Sequence, residues 1–412
     1  MPFDLNALRA QFPALVSRKI PKHTLFFDGP SGSKVPQRVV NAMVDYLENF
    51  SANFGGHFYC SAQTHDIVSH ARMAAATLLN APHSDNIVFG ANMTSLTFTL
   101  SRAIAQQWQP GDEVIVTQAD HYANVSPWQQ MAQERGATVH KAPLDLTTAG
   151  VDVAQILSLI TPRTRLIAVT AAANVTGTIT PLDEIISAAK AVGAQVYVDA
   201  VHCVPHRLLD VTALGCDYLV CSNYKFFGPH LGIAYIANPW LESLTPSRIS
   251  PAPNHGPSRF EMGTQSFEAL AGLSASIDYL AQWGESHVSL RKQLEQSFDC
   301  YATHEAKLTC HFLERLAALD GVTLYGIKDS NMARRTPTFA LSFDSCNASE
   351  LASALGQRQI CTGSGHFYAP DVIDVIGLSQ KGGVLRIGCM HYNTLEEISQ
   401  LFDVLELLLR TR

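Results

Sequence analysis

Between residues 86 and 237 this chain repeats one pattern: a short run rich in Val, Ile or aromatic residues, then a segment with helical spacing. The strand candidates are 86–89, 113–117, 138–141, 165–170, 195–199, 218–221 and 232–237. Most are apolar at successive positions, not at every second one, as expected of a sheet covered on both faces. Between them, Leu96, Leu100, Ala103 and Ile104 recur at helical spacing, as do Leu182, Ile185, Ile186 and Ala189. Alternating strand and helix predicts a doubly wound, seven-stranded, mostly parallel α/β sheet whose ligand site lies at the carboxyl ends of the strands.

Beyond Ala237 the pattern changes. Five prolines between Pro239 and Pro257 without periodicity predict a loop, and a long helical stretch is expected from Ser266 to about Leu316. Short strands are expected at 322–325, 338–343 and 384–387, with a final amphipathic helix at 395–409, which together read as a smaller α+β domain. A chain of 412 residues exceeds what one core usually supports. The expected division is an N-terminal segment 1–27 packing with the small domain, a large domain 28–270 and a small domain 271–412.

The net charge of −7 argues against nucleic acid or an anionic membrane surface as partner. The first residues show no basic segment followed by an apolar run, and the longest apolar stretch, around 166–175, is too short to span a bilayer, so a cytoplasmic location is expected. Nine cysteines fall at scattered positions with no C-x-x-C pair, which fits neither a disulfide framework nor a zinc knuckle. His202 and His206 have ligand-like spacing, but Pro205 breaks the helix that spacing requires, and no metal is expected.

Two strand ends carry the chemistry. The run 195–199 ends in Asp199, and the run 218–221 leads through Ser222 and Tyr224 to Lys225, with Gly228-Pro229 forcing a turn behind it. A lone lysine is ordinarily a solvated surface charge and a lone Asp after a strand a helix cap. Together at one sheet edge they form the pair that a pyridoxal 5'-phosphate enzyme needs: an amine for the Schiff base and a carboxylate against the pyridine nitrogen. The turn Gly90-Ala-Asn-Met93-Thr94-Ser opens a helix whose free N–H groups suit a phosphate, with plain capping by Asn92 or Thr94 the competing reading. Neither a G-x-x-x-x-G-K-[ST] loop nor a G-x-G-x-x-G fingerprint occurs, which weighs against a nicotinamide dehydrogenase. His121 follows the run 113–117 at the same edge, where an imidazole can stack on a flat ring and shuttle protons.

The strings Asp199-Ala-Val-His202-Cys-Val-Pro-His and Cys221-Ser222-Asn-Tyr224-Lys225-Phe-Phe-Gly-Pro closely resemble the cofactor-binding signature of aminotransferase class V, in its cysteine desulfurase and selenocysteine lyase branch. Asp120-His121-Tyr-Ala-Asn-Val-Ser-Pro-Trp128, Ala173-Asn174-Val-Thr-Gly177-Thr178, Arg259-Phe-Glu-Met-Gly263-Thr264 and Arg386-Ile-Gly-Cys-Met-His-Tyr-Asn-Thr394 extend the resemblance over nearly the whole chain. It implies a fold-type-I architecture with Lys225 carrying the cofactor, Asp199 at the pyridine nitrogen, His121 stacked on the ring, and Asn174 and His202 near the phenolic oxygen. It further implies that Met93, Thr94, Ser222 and Tyr224 hold the phosphate, that Thr264 reaches the phosphate of a partner subunit in a homodimer, and that Arg386 grips a substrate carboxylate.

One loop departs from the resemblance. Desulfurases of this type carry a persulfide-forming cysteine just before the proline of the stretch 360–370, where this chain has His366, which is placed instead among the substrate-binding candidates. Cys361 and Cys389 are the nearest alternative thiols. The expected activity is therefore lyase-type β-elimination on an amino acid. Epimerisation or amino transfer on the same scaffold, or a non-catalytic cofactor-binding role, are the alternatives.

Overall fold

The computed structural model describes residues 3–410. Its main sheet contains seven strands: β1 (Ile87–Gly90), β2 (Glu113–Thr117), β3 (Thr138–Ala142), β4 (Thr164–Thr170), β5 (Gln195–Asp199), β6 (Tyr218–Ser222) and β7 (Gly232–Ile236), in spatial order β1-β7-β6-β5-β4-β2-β3. These match the expected runs to within a residue at most ends. Both faces are apolar, as the runs implied: Val196 and Val198 of β5 face one core and Tyr197 the other. Ile115 of β2 and Ile167 of β4 join Val196, while Val114, Val116 and Leu166 join Tyr197.

Six strands run parallel and β7 runs antiparallel to both neighbours. A parallel neighbour needs a long crossover, whereas the stretch from Ser222 to Gly232 allows only a direct return. Lys225 sits within that return.

Four further strands, β8 (Val322–Tyr325), β9 (Thr338–Phe343), β10 (Gly363–Gly365) and β11 (Val384–Gly388), form an antiparallel sheet in the order β8-β9-β11-β10. Phe339 and Leu341 of β9 and Leu385 and Ile387 of β11 pack against helices Leu290–Leu316 and Leu395–Arg410. Phe312 stacks on Phe339 at 3.6 Å. Leu25 and Phe27 join this cluster, and the pair Leu25–Phe26 runs parallel to Ile360–Cys361.

Three expectations need correction. The stretch 266–316 is two helices, Phe267–Leu280 and Leu290–Leu316, because Gly284 packs where a Cβ would meet the Gln293 backbone at 2.3 Å and Ser289 caps the second helix. The proline-rich stretch opens with a short helix, Asn238–Ser243, since Pro239 occupies its first turn, where a missing N–H costs nothing. Strand β10 was not expected at all; Gly363 and Gly365 give it no strand propensity.

Candidate active site

Five strand ends open on one cavity of about 640 Å³. The turn after β1 contributes Asn92, Met93 and Thr94, and the turn after β2 His121. The segment after β4 contributes Asn174, β5 ends in Asp199 ahead of His202, and β6 leads to Ser222, Tyr224 and Lys225. This is the carboxyl edge of the sheet, where loops converge on a site.

Lys225 lies on a single 3-10 turn, and its Nζ donates to the Pro30 carbonyl at 2.5 Å. Burial, followed by the positive charge of Arg386, lowers its pKa to about 7 against the opposing pull of Asp199. Asp199 is 5% exposed and accepts from the Val201 N–H at 2.9 Å, and burial raises its carboxyl to about 6. An amine near its neutral form and a buried carboxylate thus share one floor.

His121 accepts the Ala123 N–H on Nδ1 at 3.0 Å, which assigns the proton of the neutral ring to Nε2. Burial and the charges of Lys225 and Arg386 lower its pKa to about 4. His202 is buried, with Nε2 between the hydroxyls of Thr338 at 3.1 Å and Thr336 at 3.2 Å, and burial drives its pKa well below the ordinary range.

At the anion end, helix Met93–Ile104 begins beneath the cavity. Asn92 caps it by accepting the Ser95 N–H. Ser222 Oγ accepts the buried Met93 N–H at 3.0 Å. Thr94 stays exposed at the cavity mouth. Gly232 closes the seat: a Cβ there would meet the Asn92 carbonyl carbon at 2.4 Å. Tyr224 stacks on His230 at 4.7 Å, and both rings line the cavity.

Arg386 lies just behind the lining residues, on β11. It is 5% exposed, and its Nη1 and Nη2 donate to the Asn174 carbonyl and to Ser31 Oγ, each at 2.8 Å. Burial lowers its pKa to about 9. Asn174 also donates through Nδ2 to the Phe367 carbonyl at 2.9 Å, while its Oδ1 is buried without a partner.

Two predicted residues stand apart. Thr264 is exposed and outside the cavity lining. His366 is exposed as well, its Nδ1 accepting the Tyr368 N–H at 3.1 Å, and the neighbouring Phe367 makes the contact with Arg386 instead. No cysteine lines this cavity among the described residues. Cys389 is fully buried with its thiol driven well above the ordinary range, and Cys361 sits in the strand pair with Phe26 with its thiol also raised.

The sequence reading missed Ser31 and Pro30, which the small-residue stretch Gly29-Pro-Ser-Gly-Ser could have flagged as a tight backbone approach. It also missed Phe367 and gave no role to Asp120, which is 1% exposed beneath His121.

The lining suits pyridoxal 5'-phosphate. A helix start with a serine hydroxyl, a carboxylate, a near-neutral amine, a flat imidazole and an unpaired amide oxygen occupy one cavity.

Comparison with known proteins agrees. The sequence model of the family described as Aminotransferase class-V matches residues 25–401. The chain is 32% identical to the aminotransferase-like protein FGM3 of Gibberella zeae, across 99% of both chains. It is 30% identical to a cysteine desulfurase of Pectobacterium carotovorum, across 97% of both. Among solved structures, the cysteine desulfurase CsdA of Escherichia coli, in an S-sulfonic acid form, matches with a TM-score of 0.85 at 26% identity, covering both chains fully.

Proposed function

This chain belongs to the aminotransferase class-V family and is a pyridoxal 5'-phosphate-dependent, cysteine desulfurase-like enzyme of amino acids; from that premise we propose that it catalyses β-elimination. One observation carries the reading. Lys225 and Asp199 line a single cavity with Arg386 directly behind it, bonded to the lining residues Asn174 and Ser31, and among the described residues no thiol lines it.

Lys225 holds the cofactor, Asp199 takes the pyridine nitrogen, and His121 covers the ring face. The start of helix Met93–Ile104 with Thr94, Ser222 and Tyr224 receives the phosphate, and Asn174 and His202 lie toward the phenolic oxygen. Bound there, pyridoxal 5'-phosphate supplies an electron sink for the pair left when the Cα proton departs. Arg386, fixed by Asn174 and Ser31, orients the substrate carboxylate through a bidentate pair. The Lys225 amine, its pKa lowered to about 7, takes the Cα proton and passes it to the departing group. The leaving group then departs from Cβ without attack by a protein sulfur.

We further infer that the enzyme works as a homodimer. Met262 and Thr264, both exposed, flank the segment that Glu261 fixes to Arg72 of helix Tyr59–Leu79 at 2.7 Å. This supports burial of Thr264 against a second copy. Nine free cysteines, and the absence of any helix long and apolar enough to cross a membrane among the described residues, support a cytoplasmic enzyme.

The test is a screen of amino acids against the loaded protein by absorbance, with products identified. Cysteine should yield pyruvate, ammonia and sulfide. Alanine together with a protein-bound persulfide would refute elimination. Lys225→Ala should abolish turnover.

A further inference from the structure

Asp120 precedes His121 in the turn after β2, and its carboxyl organises that turn. The Thr117 hydroxyl makes a very short hydrogen bond to Oδ2, and Asn124 Nδ2 donates to Oδ1 at 2.7 Å. Asn124 Oδ1 in turn accepts the Trp128 indole N–H at 3.2 Å. The Trp128 ring meets Tyr197 edge-on at 4.8 Å, and the Tyr197 hydroxyl donates to Thr97 at 2.9 Å. A chain of hydrogen bonds and ring contacts therefore runs from Asp120 into the core beside helix Met93–Ile104. Among the described residues no Lys, Arg or His forms an ion pair with Asp120.

Resting on the cofactor reading above, we propose that Asp120 is a positioning residue kept as the neutral acid, fixing the turn that presents His121 and leaving the negative charge under the cavity to Asp199 alone. Asp120 is 1% exposed, burial outweighs the hydrogen bonds from Thr117, Asn124 and the Thr170 backbone that favour its charged form, and a second buried carboxyl, Asp199, repels any charge on it. A buried carboxylate without a cation takes up a proton. In that form Oδ2 carries the proton and donates it to the Thr117 hydroxyl. Burial and Asp199 together hold the Asp120 carboxyl at about 8, above Asp199 at about 6. The other titratable groups around this floor are His121 on the same turn, His202 beyond β5, Lys225 beyond β6 and Arg386 on β11. Two carboxyls with separated affinities for protons divide two roles: one shapes the site and one carries its charge.

The test compares D120N with D120A. Asparagine matches the neutral acid in size and charge, so D120N should bind pyridoxal 5'-phosphate within about twofold of the parent and leave the pH titration of the bound cofactor's absorbance in place. D120A removes two buried hydrogen bonds and should weaken retention by roughly tenfold or more. In the cofactor-free protein at neutral pH, the infrared spectrum of the parent should contain the carbonyl stretch of a buried carboxylic acid, absent from D120N. Absence of that band in the parent overturns the proposal. So does a displacement of the absorbance titration in D120N by about one pH unit, since a charge beside Asp199 would then have been lost. A D120A protein that retains cofactor like the parent overturns the positioning role; if D120A fails to fold, D120N and the infrared band decide the matter. Failure of the parent chain to take up cofactor would refute the cofactor reading while leaving the infrared result standing.

Discussion

The guanidinium of Arg386 sits over the ring of Phe367, 3.8 Å from its centroid. The approach depends on Gly363, which pairs across the sheet with Arg386 and whose missing Cβ leaves room for the Phe367 ring edge. Phe367 and Tyr368 both adopt positive φ, 51° and 58°, which costs non-glycine residues energy. Phe367→Ala should therefore raise KM for the amino acid roughly tenfold with a smaller effect on kcat, in line with a cation–π contact of about 1–2 kcal/mol. Steady-state kinetics with KM and kcat separated would check it; an unchanged KM would refute it.

Replacing Arg386 itself probes the clamp. Arg386→Lys keeps the charge but loses the planar fork that bonds Asn174 and Ser31 at once. Loss of a charged hydrogen bond costs about 1.5–3 kcal/mol, so kcat/KM should fall roughly ten- to hundredfold for substrates with a free carboxylate. Amino acid amides should lose far less. Equal losses for both would remove Arg386 from carboxylate binding.

The pH dependence of cofactor capture follows from the lysine. Only the neutral amine attacks an aldehyde, and the pKa of Lys225 is lowered to about 7, mainly by burial and then by Arg386. The neutral fraction rises with pH, so capture of pyridoxal 5'-phosphate by the unliganded chain should accelerate from acid, reach half its maximum near pH 7 and level off about a unit above it. An ordinary lysine would still be gaining rate near pH 10. Arg386→Ala removes a repelling charge and should move the midpoint upward. Stopped-flow absorbance across pH gives both numbers.

A third set of contacts pins the loop that bears Phe367. Asp371 pairs with Lys141 at 2.6 Å and accepts from the Tyr122 hydroxyl at 2.9 Å, while Tyr122 N–H donates to the Tyr368 carbonyl at 2.7 Å. Asp371→Asn should cost about 1 kcal/mol of global stability. It should also speed hydrogen exchange selectively at residues 361–371, because local opening becomes easier. Uniform acceleration across the chain would argue against a latch at this loop.

What the sequence disclosed about the fold follows burial. Strands β4 to β6 are apolar on both faces, so their runs were visible as uninterrupted hydrophobic segments, and their ends located Asp199 and Lys225. Strand β10 was invisible because Gly363 and Gly365 contribute backbone alone. The break at Gly284 was hidden because nothing local marks a glycine pressed against Gln293 from another helix. Asp120 drew no role from the sequence, since its burial arises only when the turn folds to bring Thr117 and Asn124 onto its carboxyl. Phe367 escaped notice because left-handed backbone at a bulky residue carries no pattern. The loop position that drew attention, His366, points instead to a residue one place further on.

The direct return from β6 to β7 has a consequence for how such a chain can change. Elsewhere on this molecule a surface turn can gain or lose a residue and be absorbed by solvent. Between Ser222 and Gly232 an insertion would displace the reactive amine and slide β7 against both neighbours, exchanging the apolar sides of Ile233 and Ala234 between the two cores. It would also lift Gly232 away from Asn92 and unseat the anion turn. This segment is length-locked: substitution is the only route by which it can vary, and tags, linkers or permuted termini belong elsewhere.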